Sequence, residues 1–123
     1  MGCTALLTVE LPTGITRIGK NAFYKCTALK AITIPDSVKT IDISAFNTCT
    51  SLETFTAPKS LETIGDRAFY CCETLKNVTY GDKLTSIGIS AFDNTAVEAF
   101  NAPKTLKTIG DGAFTGCKNL AVV

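Results

Sequence analysis

Hydrophobic and polar positions along this chain follow one pattern that recurs about every 23 residues. In Leu29–Ser51 the pattern opens with LKAITIP, where apolar and polar residues alternate before a proline, as in a short strand with one buried face. A second apolar pair, Val38 and Ile41, follows, and then an Ala-Phe pair and a cysteine. The five full copies, named coils 1 to 5, are residues 6–28, 29–51, 52–74, 75–96 and 97–119, and partial copies lie at both ends.

The columns of the repeat predict its local structure. The strand ends at a proline in four coils and at Gly81 in coil 4, because proline cannot donate to a strand ladder. The Ala-Phe pair predicts a short helical turn, and five polar residues lie where they could cap it: Asn21, Ser44, Asp66, Ser90 and Asp111. A turn with positive φ is expected after the second apolar pair, at Gly19, Gly65, Gly88 and Gly110, and at Asp42, which tolerates that conformation.

The apolar columns predict a core that only stacking can create. A single coil cannot bury its apolar positions, whereas stacked coils turn each column into a continuous internal row. Five phenylalanines dominate these rows: Phe23, Phe46, Phe69, Phe92 and Phe114. At the last two inward strand positions, each Phe is followed by a small residue, as in the pairs Phe55/Ala57 and Phe100/Ala102. Such volume exchange is typical of a close-packed interior.

Five of the six cysteines occupy one column: Cys3, Cys26, Cys49, Cys72 and Cys117. Asn94 is expected to fill this position in coil 4, which is one residue short between Phe92 and Asn94 and should therefore kink or turn more tightly. Stacking would place neighbouring thiols about 5 Å apart, within disulfide range. The alternative, which we favour, is that the thiols are small apolar fillers. Cys71 lies outside the column and is expected to face solvent.

The template L-x-x-I-x-I-P…V-x-x-I-x-x-x-A-F-x-x-C resembles the BspA-type leucine-rich repeat, a family found in surface proteins of bacteria and some protists. The resemblance covers nearly the whole chain. It implies an α/β solenoid, a right-handed superhelix with a parallel sheet on its concave side and short helical turns elsewhere. It also implies adhesion or host-protein binding within a larger secreted or cell-surface protein. The family offers no catalytic residues to carry over.

Composition and charge exclude several functions. Twelve basic residues face eleven acidic ones, so no overall field attracts nucleic acid or an anionic membrane. No apolar run approaches the length of a membrane span, and the N-terminus lacks the basic segment of a signal peptide. The chain has no His, no Trp and no C-x2-C pair, which removes the usual catalytic triads and zinc sites. We therefore expect no enzyme activity, no metal, no cofactor, no nucleic-acid partner and no membrane insertion.

The candidate binding site is the outward side of the strands. Residues that alternate with the inward ones should face the concave side, and they are Thr8, Glu10, Ala31, Thr33, Thr54, Thr56, Asn77, Thr79, Ala99 and Asn101. This surface is small and polar, and it lacks the Trp, Tyr and Arg anchors of binding hot spots. Two interpretations stay open. The threonines simply suit a strand surface, or they form a shallow groove for an extended peptide, a flat protein or a glycan.

The sequence thus predicts a non-catalytic, adhesin-like module that binds a protein or glycan as part of a larger surface protein. The alternative is a structural spacer or self-assembly module without a specific ligand. Both termini stop within a repeat, which would expose unpaired strand edges and apolar columns. We therefore also expect self-association through the ends, or fraying of the outermost coils.

Overall fold

The computed structural model describes residues 4–120, so the expectations for Cys3 and for residues 121–123 fall outside the described residues. The described chain is a parallel β-solenoid with nine short strands, two in each of coils 1 to 4 and one in coil 5. The strands are β1 (Thr8–Glu10), β2 (Arg17–Ile18), β3 (Ala31–Thr33), β4 (Thr40–Ile41), β5 (Thr54–Thr56), β6 (Thr63–Ile64), β7 (Asn77–Thr79), β8 (Ser86–Ile87) and β9 (Thr108–Ile109).

The second apolar pair of each coil lies on the most regular edge of the solenoid. There β2, β4, β6, β8 and β9 form one continuous parallel sheet in chain order. The register places Ile41 between Ile18 and Ile64, so like residues of successive coils lie side by side. In the sequence this segment is marked only by its apolar pair. Backbone pairing between coils converts it into the longest sheet of the described chain.

The expected concave sheet is present only in pieces. β1 pairs with β3 and β5 pairs with β7, but no ladder joins β3 to β5, and coil 5 keeps only an isolated bridge at Ala99. Both interruptions fall where a phenylalanine follows a smaller residue in the inner column, at Ile32/Phe55 and at Val78/Phe100. We attribute them to the added ring volume, because neighbouring backbones must approach to about 4.8 Å for ladder hydrogen bonds.

Within residues 4–120 the predicted helical turns are not formed, and turns bonded to the next coil take their place. Asn21, Phe23 and Lys25 each donate their N–H to a carbonyl of coil 2 at 2.7–3.0 Å, while the intervening Ala22 and Tyr24 bond three residues back within coil 1. A helix would direct every N–H along its own axis. Here alternate N–H groups point to the neighbouring coil, so the proposed caps have no helix to cap: Asn21, Ser44, Asp66, Ser90 and Asp111.

Apart from Gly14, the described residues with a left-handed backbone conformation lie inside these turns. Each coil has two such residues, with φ between 54° and 72°: Asn21 and Lys25, Ser44 and Thr48, Arg67 and Cys71, Ser90 and Asn94, Gly112 and Gly116. The expectation of positive φ at the residue after the second apolar pair is therefore wrong for Gly19, Asp42, Gly65, Gly88 and Gly110. At this position glycine instead allows the backbones of neighbouring coils to approach closely. A Cβ built on Gly88 would lie 2.5 Å from the backbone nitrogen of Asp66 in the preceding coil.

The phenylalanine column forms the centre of the core. Successive rings from Phe23 to Phe114 are stacked with centroids 5.1–5.4 Å apart and interplanar angles of 4–12°. Phe46, Phe69 and Phe92 are completely buried. The expected volume exchange holds at Phe55 and Ala57, which are both buried, whereas Ala102 is exposed, as is Ile109 of the same terminal coil.

The cysteine column lies beside these rings. The thiols of Cys49, Cys72 and Cys117 each donate to the carbonyl of a phenylalanine in an earlier coil, at 3.0–3.1 Å. Burial raises the pKa of the Cys72 thiol well above its ordinary value, and the Cys49 thiol adds to the increase. The thiol therefore keeps the proton it donates. Cys71, expected to face solvent, is half-buried.

Thr95, not Asn94, occupies the cysteine column in coil 4. Asn94 donates its N–H to coil 5 just as Cys71 donates to coil 4, which aligns these two residues. Thr95 is 5% exposed, and its hydroxyl lies 3.3 Å from the Cys117 sulfur. Coil 4 is therefore one residue shorter than the other coils in the segment after Thr95, directly before the part of coil 5 that fails to form a full strand.

Replacing Phe69 by Ala is expected to lower the free energy of unfolding by about 3–5 kcal/mol, because a cavity would remain between two stacked rings. Phe23→Ala is the matched control, since Phe23 is half-buried and stacks on only one phenylalanine ring. Urea unfolding followed by circular dichroism measures both changes. Equal losses for the two variants would contradict a core centred on the middle rings.

Gly88→Ala is expected to destabilise the fold by roughly 1–3 kcal/mol, because the added methyl group would overlap the backbone of coil 3. Gly19→Ala meets no atom within 4 Å, and both glycines have φ outside the left-handed region. The control should therefore be neutral or slightly stabilising. Thermal unfolding of the two variants separates close packing from backbone conformation. Similar losses at both positions would contradict the packing explanation.

Candidate functional site

The strand face, defined as the ten residues predicted to line the binding surface, is solvent-exposed throughout. Parallel pairing sets Thr8 beside Ala31 and Glu10 beside Thr33, and it sets the next pair of coils in the same arrangement. Their alternating neighbours Val9, Ile32, Phe55 and Val78 point towards the core. The structure thus separates the strand face from the core as the alternation predicted, but divides it into two paired blocks and the lone bridge of coil 5.

Charged residues line both rims of the strand face and alternate in sign from coil to coil. The rim before the strands carries Lys30, Glu53, Lys76 and Glu98, and the rim after them carries Asp36, Lys59, Asp82 and Lys104. Neighbouring coils, whose backbones are about 5 Å apart, therefore carry opposite charges at both rims. The apolar periodicity used for the sequence prediction does not report this arrangement. Comparing both signs column by column would have found it.

Two adjoining clefts lie between the strand segments of coils 4 and 5. The larger has a volume of about 490 Å³ and is lined among others by Tyr80, Asp82, Asn101 and Lys104. The smaller, of about 220 Å³, is lined among others by Asn77 and shares Val78, Thr79, Ala99 and Asn101 with the larger. Four of the ten predicted site residues therefore border a concavity, and they are Asn77, Thr79, Ala99 and Asn101.

The clefts coincide with a break in the strand ladder. Between coils 3 and 4, Lys76 donates its N–H to the Glu53 carbonyl at 2.9 Å, and Ala57 donates to the Thr79 carbonyl at 3.1 Å. Between coils 4 and 5, the first bond lengthens to 3.4 Å at Glu98, and the counterpart of the second is absent from the described bonds. The two coils are therefore held apart at the end of the strand.

Tyr80 fills the inner side of this gap. Its ring meets Phe100 edge-on, with centroids 5.1 Å apart and an interplanar angle of 89°. Its hydroxyl is buried and, in the described part of the chain, has no hydrogen-bond partner. Burial, together with the nearby Cys117 thiol, raises the pKa of the Tyr80 phenol well above its ordinary value. Coil 4 thus keeps an uncompensated polar atom at the cleft.

The described residues contain no cluster of three or more His, Cys, Asp or Glu side chains suited to holding a metal ion. Over the same residues, no helix is long and apolar enough to cross a membrane. The chemical character of the site is therefore that of small hydroxyl, amide and methyl groups between two charged rims. Such a surface can form hydrogen bonds and shape-complementary contacts.

Stacked parallel coils with internal leucine, isoleucine and phenylalanine columns define a solenoid of the leucine-rich-repeat class. The model of the family "BspA type Leucine rich repeat region" matches residues 1–121 in six copies, and the chain belongs to this family. Comparison with curated proteins gives no match.

Solved structures show the same architecture. A leucine rich cell surface protein from Faecalibacterium prausnitzii is 36% identical over 98% of this chain and 33% of its own, with a TM-score of 0.91. The leucine rich repeat protein of T. pallidum is 34% identical over 98% of this chain and 47% of its own, with a TM-score of 0.67. The pneumococcal vaccine antigen PcpA is 32% identical over 89% of this chain and 28% of its own, with a TM-score of 0.80. The chain thus spans less than half the length of each of these solved proteins.

Tyr80→Phe is expected to raise the free energy of unfolding by about 1 kcal/mol, because it removes a buried hydroxyl that has no partner. Tyr70→Phe is the control, since Tyr70 has no buried unpartnered hydroxyl, and it should change little. Urea unfolding near neutral pH measures both. A loss of stability on Tyr80→Phe would show that the hydroxyl is compensated.

The pH dependence of stability at alkaline pH tests the Tyr80 phenol independently. The folded state raises the pKa of the Tyr80 phenol, so the stability that is linked to keeping this phenol protonated is fully present below about pH 10. It is lost as pH rises further, because the unfolded chain then releases the proton. The wild type should therefore lose more stability than Tyr80→Phe between about pH 8 and about pH 11. Identical losses would contradict the raised pKa.

Proposed function

We propose that this chain is a non-catalytic binding module whose strand face docks against a protein or glycan as part of a larger, adhesin-like surface protein. The observation that carries the proposal is that all ten residues of the strand face are exposed and nine of them are short and uncharged, Glu10 being the exception. Such a face presents hydroxyl and amide groups without bulky side chains that would have to be displaced. A flat partner surface can therefore approach closely.

The relatives support the surface setting. One is described as a leucine rich cell surface protein and another as a vaccine antigen. For this chain a cell-surface parent is a proposal, since it spans about one third of the first relative and less of the second.

The competing role is a spacer or assembly module. The continuous sheet on one edge and the turn ladder on another give the solenoid two uninterrupted rows of inter-coil hydrogen bonds, which would suit a rigid spacer. We favour the binding role because the strand face combines a broken ladder with the cleft of about 490 Å³. Self-association through the ends remains a prediction, tested by sedimentation at increasing protein concentration.

The triple substitution Thr33→Lys, Thr56→Lys and Thr79→Lys is expected to abolish binding to a panel of immobilised collagen, laminin and mucin, because three long charged side chains would cover the strand face. Three exposed threonines elsewhere provide the matched control, Thr16→Lys, Thr108→Lys and Thr115→Lys. The control has the same charge change and should bind as the wild type does. Surface plasmon resonance measures both. Unchanged binding of the folded strand-face variant, or no binding by the wild type, would favour the spacer.

A further inference from the structure

We propose that the trough between coils 4 and 5 is a docking site for an extended peptide, which pairs with backbone groups that the broken ladder leaves available. The proposal rests on the binding role proposed above and names the ligand class for one part of the strand face. The trough is defined by the two adjoining clefts and runs beside residues 76–82 and 98–105.

The shape of the trough fits an extended chain. The clefts overlap at Val78, Thr79, Ala99 and Asn101, so they form one concavity that follows the strand direction. It extends from the Lys76/Glu98 rim to the Asp82/Lys104 rim, which is the length of about six residues of strand, or about 20 Å. A compact ligand would fill only part of this length.

The backbone of the trough has hydrogen-bonding capacity to offer. In coil 3 the Ala57 N–H donates to the Thr79 carbonyl of coil 4, whereas the corresponding bond from the Tyr80 N–H to the Asn101 carbonyl is absent from the described structure. No backbone hydrogen bond joins residues 100–103 to coil 4 within the described chain. Backbone N–H and C=O groups in a sheet require partners. An added strand supplies donors and acceptors at strand spacing, as in other cases of strand addition.

The side chains leave the backbone accessible and the centre of the trough uncharged. Ala99, Gly81 and Thr79 are small, so a ligand backbone can come close. Each end has one acidic and one basic residue, Lys76 with Glu98 and Asp82 with Lys104, which balance each other. A strongly anionic or cationic ligand therefore gains no net attraction, whereas an uncharged peptide backbone has no electrostatic penalty.

The test uses the intact protein, labelled with ¹⁵N, and a capped synthetic peptide, Glu-Thr-Phe-Thr-Ala-Pro, which copies residues 53–58. This segment contains β5, whose pairing with β7 is seen in the structure, so it is competent to form a parallel strand. Titration is expected to give saturable amide shifts confined to residues 76–82 and 98–105. The same peptide with N-methyl groups on its Thr, Phe and Thr nitrogens keeps its side chains but lacks those donors, and it should give no saturable shifts.

Two alanines in one column provide matched protein variants. Ala99→Lys places a long side chain in the trough, whereas Ala31→Lys makes the same change where β1 and β3 form an intact ladder, and both positions are exposed. Ala99→Lys should weaken peptide binding about tenfold or more, and Ala31→Lys should leave it unchanged.

Equal weakening by both variants, shifts spread over all five coils, or full binding by the N-methylated peptide would each overturn the proposal. So would the absence of peptide shifts, or shifts in the trough with cellohexaose but not with the peptide, which would instead assign a glycan. None of these results decides the wider binding role, because the threonine-to-lysine variants are read out on immobilised matrix proteins and mucin.

Discussion

The near-parallel stack of phenylalanine rings, one from each coil, fixes the spacing on which the rest of the solenoid depends. Ring centroids 5.1–5.4 Å apart are compatible with both offset stacking and the distance between hydrogen-bonded strands. The same rise serves the five-stranded sheet and the turn ladder at the other edges of each coil. Residues that need more room than this rise allows must disturb one of the ladders.

The ladder that is disturbed is the one formed by the first strand of each coil. Phe55 and Phe100 enter an inner column that holds smaller aliphatic residues in the coils before them, and the ladder is lost at both steps. At the second step, Tyr80 adds another ring and coil 4 lacks one residue after Thr95. Several causes thus act together between coils 4 and 5, and this boundary is the one with a cleft of about 490 Å³.

The function that we propose follows from what this edge presents to solvent. The continuous sheet and the turn ladder use their backbone groups to hold the coils together, so they have little left for a ligand. The strand face combines short polar side chains with interrupted pairing, and its charged rims balance from coil to coil. Specific recognition without an aromatic or arginine anchor then depends on close approach of the backbone.

The sequence by itself determined the repeat, the inward columns and the ten exposed positions of the strand face, because period and alternation report which residues share a side. It could not determine that Ala22-Phe23 and its copies form inter-coil turns rather than helices, or that Gly88 is required for space, since both depend on the neighbouring coil. The position of Thr95 in the cysteine column also depends on the neighbouring coil. Alignment by residue type alone placed the gap of coil 4 elsewhere. Only the tertiary structure located the breaks in the strand ladder, since they result from ring volumes accumulated across coils.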